Sequence, residues 1–373
     1  MDSNTARTDA MDDRIITGLG NQLDLFQGDI IAQAPATPNV YFEAEDIELD
    51  YDLFIVCMSG KDSFACLFRL LEMGVPTSKI ECWHHLVDGR ETPGYFADWP
   101  HIESFLEKVC ESMGIPLYYS WLMHGFKGEM LKKDSIPHPH KIQTPTGTLT
   151  LDRSRSKPNT RMMFPQQSAD IRTRYCSGAL KIDPARRAFT SQDRFIGQRV
   201  LFITGERRQE SPGRSKYNQL EPHFNDTARG KNPRTPRFID HWRPVLHFSE
   251  QQVWDILAKH KLIAPLPYRL GFGRSSCMAC IFNHDRIWAT IGHYWPERMQ
   301  AIAEYEKQFG VSIHRNGKTV VERAAGVKPI DNLPPELVAQ AVATDYTLPL
   351  FLDQGQDWEL PLGAFSELSS GAV

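Results

Sequence analysis

The stretch from Leu53 to Met73 limits most strongly what this chain can become. Leu53–Met58 is a short, wholly apolar run, the pattern of a strand buried on both faces. Phe64–Met73 is apolar on nearly every face, which predicts a buried helix. Between them lies only Ser59-Gly60-Lys61-Asp62-Ser63. A tight turn entering a helix leaves backbone N–H groups unpaired at the positive end of the helix dipole, so it favours an anion. Ser59 and Ser63 add donors there and Lys61 adds a positive charge. Asp62 is the odd member: beside an anion, a carboxylate serves only as a helix cap or through a bridging cation. The loop lacks the spacing of a Walker A motif.

The pattern continues as α/β. Lys79–Asp88 reads as a second strand closed by Asp88-Gly89, Ile102–Met113 as a helix and Ile115–Leu122 as a third strand. This alternation predicts a parallel sheet covered by helices, joined by right-handed crossovers. Residues 124–170 break the rhythm with five prolines and many basic residues, and predict a loop-rich insertion with a hairpin tip near Thr146-Gly147. The pattern resumes with a helix over Lys181–Phe189 and a strand over Arg199–Thr204 leading into Gly205-Glu-Arg-Arg. Pro233–Arg243 reads as a connection. Ser249 and Gln252 form a capping box for a helix to His260, and residues 285–309 read as a further helix. The expected organisation is an N-terminal arm (1–45), a nucleotide-type domain (46–246) with its insertion (124–170), a helical region (247–325) and a tail packed on the core (326–373).

No run of about 18 apolar residues is present to cross a membrane. Seven cysteines in 373 residues are too few for a disulfide framework, and the first residues lack the apolar core of a signal peptide. The expectation is a cytoplasmic protein with thiols available for chemistry. The net charge of −4 conceals a block from Asp152 to Phe238 with 19 Lys and Arg against 8 Asp and Glu. Such a block in an acidic chain suits an anionic partner, or a basic face paired with acidic neighbours.

Four cysteines, Cys57, Cys66, Cys82 and Cys110, fall inside predicted elements and read as small core residues. The other three sit in polar loops: Cys176 between Arg174 and Lys181, and the pair Cys277-Met-Ala-Cys280 after Arg274. A Cys-x-x-Cys suits zinc, an iron–sulfur cluster or a redox pair. The flanking Arg174 and Lys181 predict a Cys176 thiol shifted toward thiolate.

The loop Ser59–Ser63 resembles the pyrophosphate (PP) loop of the ATP-pyrophosphatase superfamily, with one glycine fewer than the usual Ser-Gly-Gly-Lys-Asp-Ser. In order with it stand Arg174-Tyr-Cys176 and Lys181, Thr204-Gly-Glu-Arg-Arg-Gln-Glu-Ser211 with Arg214, and Tyr268-Arg-Leu-Gly-Phe-Gly-Arg-Ser-Ser-Cys-Met-Ala-Cys280. Over roughly residues 50–310 this set is similar to the phosphoadenylylsulfate (PAPS) reductase-like branch, and within it to the DNA phosphorothioation type. The resemblance implies a Rossmann-like, adenine nucleotide α hydrolase-like sheet with helices on both faces and a Cys-bearing C-terminal helical region. It implies ATP with Mg²⁺ as the nucleotide, bound by Ser59, Gly60, Lys61, Asp62 and Ser63, by His85 and Asp88 near the adenosine, and by Gly205, Arg207, Arg214, Arg174 and Lys181. Lys61, Asp62, Cys176 and Arg207 become the catalytic candidates. Cys176, Cys277 and Cys280 become ligands of a [4Fe–4S] cluster with one open iron. The implied partners are DNA, held through the basic insertion, a cysteine desulfurase as sulfur donor, and other DNA-modification proteins, with no membrane. Two departures stand out: no cysteine follows Cys280, and Ser177 and Asn283 occupy positions where relatives carry further cysteines. The alternatives are a sulfonucleotide reductase and a non-catalytic nucleotide-sensing module.

Overall fold

In the computed structural model, residues 43–44, 46–168, 170–230 and 234–366 are described; the expected N-terminal arm lies almost entirely outside them. The apolar run becomes strand β1 (Leu53–Cys57), followed by helix α1 (Lys61–Glu72). Then come β2 (Ile80–Leu86), α2 (Ile102–Ser112) and β3 (Leu117–Leu122). Among the described residues, these strands join β4 (His140–Thr144), β5 (Gly147–Leu151), β6 (Arg199–Ile203), β7 (Leu220–Pro222) and β8 (Phe238–Trp242) in one sheet of order β5-β4-β3-β2-β1-β6-β8-β7. Its centre, β3-β2-β1-β6-β8, is parallel. The chain builds outward from β1 through β2 and β3, and then crosses to the other side with β6 (Arg199–Ile203). The strand order therefore reverses between β1 and β6, which opens a crevice at their carboxyl ends.

Both faces of the sheet are covered, which explains why β1 has no polar alternation. Phe54 and Val56 pack with Phe64 and Leu67 of α1, Phe105 of α2, and Val253 and Trp254 of α5 (Glu250–Lys259). Ile55 faces the other side, with Trp83, Phe202 and Phe189 of α4 (Asp183–Thr190). This is the α/β architecture with helices on both faces that the strand–helix alternation predicts.

The structure departs from the sequence reading in three places. Residues 124–170 are less irregular than expected: they form α3 (Gly125–Met130) and a hairpin of β4 (His140–Thr144) and β5 (Gly147–Leu151), which extends the sheet antiparallel to β3. The basic connection contains β8 (Phe238–Trp242), flanked by β7 (Leu220–Pro222). Asp240 and His241 disguise β8, but both have partners only the folded chain supplies. Asp240 accepts from Tyr51 and Arg229, each at 2.8 Å, and His241 pairs with Thr204 at 2.5 Å. The long C-terminal helix is two: α7 (Asp285–Tyr294) and α8 (Pro296–Phe309). Pro296 lacks an N–H and pushes Trp295 out of helical geometry, so the helix restarts there. Beyond residue 326, Ile330, Leu333, Leu337 and Tyr346 are buried in the main core.

Candidate active site at the carboxyl edge of the sheet

Three loops meet at the crevice. In the first, Gly60 caps α1 in extended conformation. Ser63 ties the turn together: its Oγ accepts from the N–H of Ser59 (2.9 Å) and Gly60 (3.0 Å) and donates to the Gly60 carbonyl (2.7 Å). In the second, Gly205 follows β6 and lies so close to the first loop that a Cβ there would stand 2.8 Å from the Asp62 carbonyl carbon. In the third, Ser275 Oγ donates to the Ser59 carbonyl at 2.9 Å and lies 3.4 Å from the Tyr268 hydroxyl, contributed by the short helix α6 (Leu266–Arg269). A Cβ on Gly60 would stand 2.2 Å from Ser275 Oγ. Glycine is required at both positions by close approach rather than by an unusual φ.

A charged core lies beneath these loops. Asp62 accepts from Arg207 Nε at 2.6 Å and from Lys61 Nζ at 3.2 Å. Lys61 is 5% exposed and Arg207 is 4% exposed. Lys61 also reaches Glu250 Oε1 at 3.9 Å and lies 5.3 Å from the Tyr268 ring centroid and 5.7 Å from that of Trp254. Burial works against the Lys61 ammonium, but Asp62, Tyr268 and Glu250 outweigh it and hold its pKa above the ordinary value. Burial likewise opposes the Asp62 carboxylate, and Lys61 and Arg207 overcome it, so its pKa is lowered. Lys61 thus points under the loop, and both oxygens of Asp62 are engaged by cations. With each oxygen already bonded to a cation, this carboxylate does not present itself to Mg²⁺.

Toward β2 the polar groups are of another kind. The Asp88 carboxylate is committed to the fold, accepting from the backbone N–H of Phe96, Ala97 and Asp98 at 2.8 to 3.2 Å. His85 is buried with Nδ1 2.7 Å from Ser120 Oγ, and His84 Nδ1 lies 2.7 Å from the Met58 carbonyl. The Nε2 of each histidine is buried without a partner. Burial pushes Asp98 up to about 7, aided by the neighbouring Asp88 charge.

The three loop cysteines come together around Lys181. Burial opposes its ammonium, but Cys277, Asp98, Cys176 and Cys280 all lie within electrostatic reach and raise its pKa. The expectation of a Cys176 thiolate is reversed. Burial, with Cys280 adding to it, outweighs Lys181 and Arg174 and pushes the thiol up to about 11. Cys277 is also pushed well above its usual value by burial. Among the described residues no group of three or more His, Cys, Asp or Glu is arranged to hold a metal ion. Asn283, at a position where relatives carry a cysteine, is buried and donates to the Met278 carbonyl at 2.7 Å. With no such ligand group assembled among the described residues and an amide at that position, this geometry does not fit a [4Fe–4S] cluster.

Between the loop and the thiols, arginines converge. Arg174 lies within electrostatic reach of Arg214 and Arg274 as well as of Cys176 and Tyr217, and its pKa is lowered chiefly by burial. Arg174 Nε and Nη1 and Arg274 Nη1 are buried with no hydrogen-bond partner. Arg214 pairs with Glu210. Guanidinium groups crowded together with donors unspent form a receptor for phosphate or sulfate oxygens. The sequence motifs take in Arg174, Arg214, Tyr268, Arg274 and Ser275, whereas Glu250 and Asp98 are brought in only by folding.

The basic insertion is partly consumed within the protein. Lys132 is buried and bonds both oxygens of Glu129 at 2.8 Å. Arg161 bonds the same carboxylate at 2.9 Å and lies over Tyr175. Lys133, Arg155 and Lys157 remain exposed.

Residues 147–283 match the family described as phosphoadenosine phosphosulfate reductase domain. The match begins after the Ser59–Ser63 loop and takes in Arg174, Cys176, Lys181, Arg207, Arg214 and the Cys277–Cys280 pair. An uncharacterized 37.8 kDa protein of Escherichia phage 186 is 30% identical over 180 residues, which is 48% of this chain and 48% of that protein. The chain therefore spans about half the length of the curated relative it matches. Two solved structures align at a TM-score of 0.30, too low to carry an argument. A Candida glabrata FMN adenylyltransferase in complex with FMN and an ATP analogue is 13% identical, covering 72% of this chain and 66% of that one. A Candida auris phosphoadenylyl-sulfate reductase in its phosphate complex is 11% identical, covering 72% and 95%. Across residues 147–283 this chain is similar to the phosphoadenosine phosphosulfate reductase domain family.

Proposed function

We propose that this protein is an adenine-nucleotide enzyme of sulfur chemistry, an ATP pyrophosphatase and sulfurtransferase acting in DNA phosphorothioation. The observation that carries the reading is Arg174 within electrostatic reach of Arg214, Arg274 and Cys176, with buried donors unspent on Arg174 and Arg274. A phosphodiester oxygen is a poor leaving group. When that oxygen attacks the α-phosphorus of ATP, pyrophosphate leaves and the DNA phosphate becomes adenylylated. The outer sulfur of a cysteine persulfide formed by a cysteine desulfurase then attacks the DNA phosphorus, and AMP departs with the former oxygen; a second thiol cleaves the remaining S–S bond to release the phosphorothioate, and an external thiol reductant reduces the disulfide left behind. In this reading the arginines hold phosphate oxygens, and the loop seam of Gly60, Ser275 and Gly205 fixes where the phosphates lie. Arg207 and Asp62 act by positioning the loop, while Lys181 faces the thiols through which sulfur passes. Exposed Lys133, Arg155 and Lys157 suit electrostatic contact with the DNA backbone.

Pyrophosphate release from ATP, measured with and without DNA, tests the reading: DNA-stimulated release lost in Arg174→Ala supports it, and absence of release under both conditions refutes it. The matched family favours a second reading, a sulfonucleotide reductase. Sulfite release from a sulfonucleotide with a thiol reductant would establish that reading in place of the first.

A further inference from the structure

A second polar cavity lies away from the crevice, behind the Cys277–Cys280 loop. It has a volume of about 420 Å³ and is lined by residues including Gln167, Asn283, His284, Arg286, His314 and Arg323. That volume suits a small molecule. None of the three loops of the crevice lines it, and neither do the convergent arginines.

Two of its lining side chains are buried with hydrogen-bonding capacity unspent. Arg323 is 5% exposed; its Nε bonds Asp285 Oδ1 at 2.6 Å and its Nη2 the Asn283 carbonyl at 2.7 Å, yet its buried Nη1 has no partner. Asn283 is 1% exposed, and its Oδ1 has no partner either. Leaving such groups unpaired is costly, and native structures rarely do so without a water, an ion or a ligand. Further donors surround them. The Asn316 N–H donates to His314 Nδ1 at 3.3 Å, which leaves the proton of neutral His314 on Nε2. Burial depresses the His314 pKa, and Arg323 and His284 add to that. The first turn of the ten-residue helix α7, which has no side-chain cap, lies at the same wall. Among the described lining residues Asp285 is the only carboxylate, and it is paired with Arg323. Among the lining arginines and carboxylates, Arg286 and Arg323 against Asp285 leave one net positive charge.

We propose that this cavity is an oxyanion-binding site for a small molecule bearing a phosphate or sulfate group and an N–H or O–H donor. The oxyanion takes the Arg323 Nη1, Arg286 and His314 donors, and the donor group satisfies Asn283 Oδ1. Asn283 donates to the Met278 carbonyl and Gln167 to the Ile281 carbonyl at 2.8 Å, so the ligand bears directly on the loop that carries the thiols. The site stands whether or not the nucleotide reading of the crevice does.

Calorimetric titration of the full chain with inorganic phosphate, inorganic sulfate and AMP tests this. Arg286 is exposed, so Arg286→Ala is expected to fold; loss of a charge-assisted contact should weaken binding at this site about tenfold or more. Arg323→Lys keeps the charge but removes the forked donor, and should weaken binding as well. AMP binding tighter than phosphate binding, with the same dependence on both variants, would identify a nucleotide as the source of the phosphate; phosphate or sulfate binding as tightly as AMP would identify the free anion. No saturable binding of any of the three at millimolar concentration overturns the proposal, and so does binding unchanged in both variants. Pyrophosphate release by Arg286→Ala is expected to match wild type, so failure here and failure of the crevice reading are separately visible.

Discussion

Replacing Asp62 with asparagine tests whether the charged core under the loops holds the crevice together. The carboxylate is the common partner of two cations that are at most 5% exposed, Arg207 at 2.6 Å and Lys61 at 3.2 Å. Removing one partner of a buried ion pair costs roughly 3–5 kcal/mol, because the other charge is stranded. Two features place this case at the low end. Asp62 keeps some solvent contact, with 18% of its side chain exposed, and Lys61 retains Glu250 and two aromatic faces. The expected loss is about 3 kcal/mol, or about 6 °C in Tm at the roughly 2 °C per kcal/mol of a large domain. Differential scanning fluorimetry and urea unfolding read this directly. The lowered Asp62 pKa sets the pH dependence. Its contribution is fully present above the ordinary Asp value of 3.8 and lost as pH falls through the lower folded value, so the gap between wild type and variant should hold near neutrality and close in acid. Lys61 behaves oppositely: its raised pKa keeps its contribution below 10.5 and loses it only in strong alkali. Adding Arg207→Gln to Asp62→Asn should recover part of the loss, with a coupling of about 1–3 kcal/mol. A loss below about 1 kcal/mol, or a strictly additive double variant, would refute the idea that this triad organises the site.

Other perturbations probe the loops and the thiols. Gly60→Ala places a Cβ 2.2 Å from Ser275 Oγ and should cost about 1–3 kcal/mol in a thermal melt, with Ser275→Ala in the same chain restoring part of it. Gly205→Ala meets Asp62 backbone instead and should show no such relief, since the obstructing atoms cannot rotate away. Iodoacetamide should label Cys176 slowly at pH 7 and faster toward pH 11, because burial keeps it a thiol; rapid labelling at neutral pH would contradict the buried setting. Asp98, pushed up to about 7, makes its contribution to stability below the ordinary value of 3.8 and loses it as pH rises through 7. Asp98→Asn should therefore flatten the fall in Tm between pH 4 and pH 7; an unchanged profile would show that another group titrates there.

Much of the architecture was legible before any coordinate. The unbroken apolar run of β1, the near-uniform apolarity of α1 and the strand–helix alternation after them all follow from local periodicity, so the covered parallel sheet was expected. The strand β8 was not, because Asp240 and His241 look like surface residues until Tyr51, Arg229 and Thr204 are seen to satisfy them. The tip of the β4–β5 hairpin was legible at Thr146-Gly147, but its pairing with β3 was not, because the proline-rich basic composition around it argues for a loop.

For the site, sequence alone determined the chemistry available: a glycine turn at a helix start, arginines after a later strand, and three cysteines in polar loops. These are local patterns, set by backbone geometry and residue type. Tertiary structure decided how those groups are used. It turned Lys61 inward onto Asp62 and Glu250, spent Asp88 on a backbone turn, and gathered Arg174, Arg214 and Arg274 beside Cys176. It also made Cys176 a thiol where its neighbours in sequence argue for a thiolate. The reason is physical: a pKa or an ion pair depends on burial and on charges brought near from distant segments, and neither is visible along the chain.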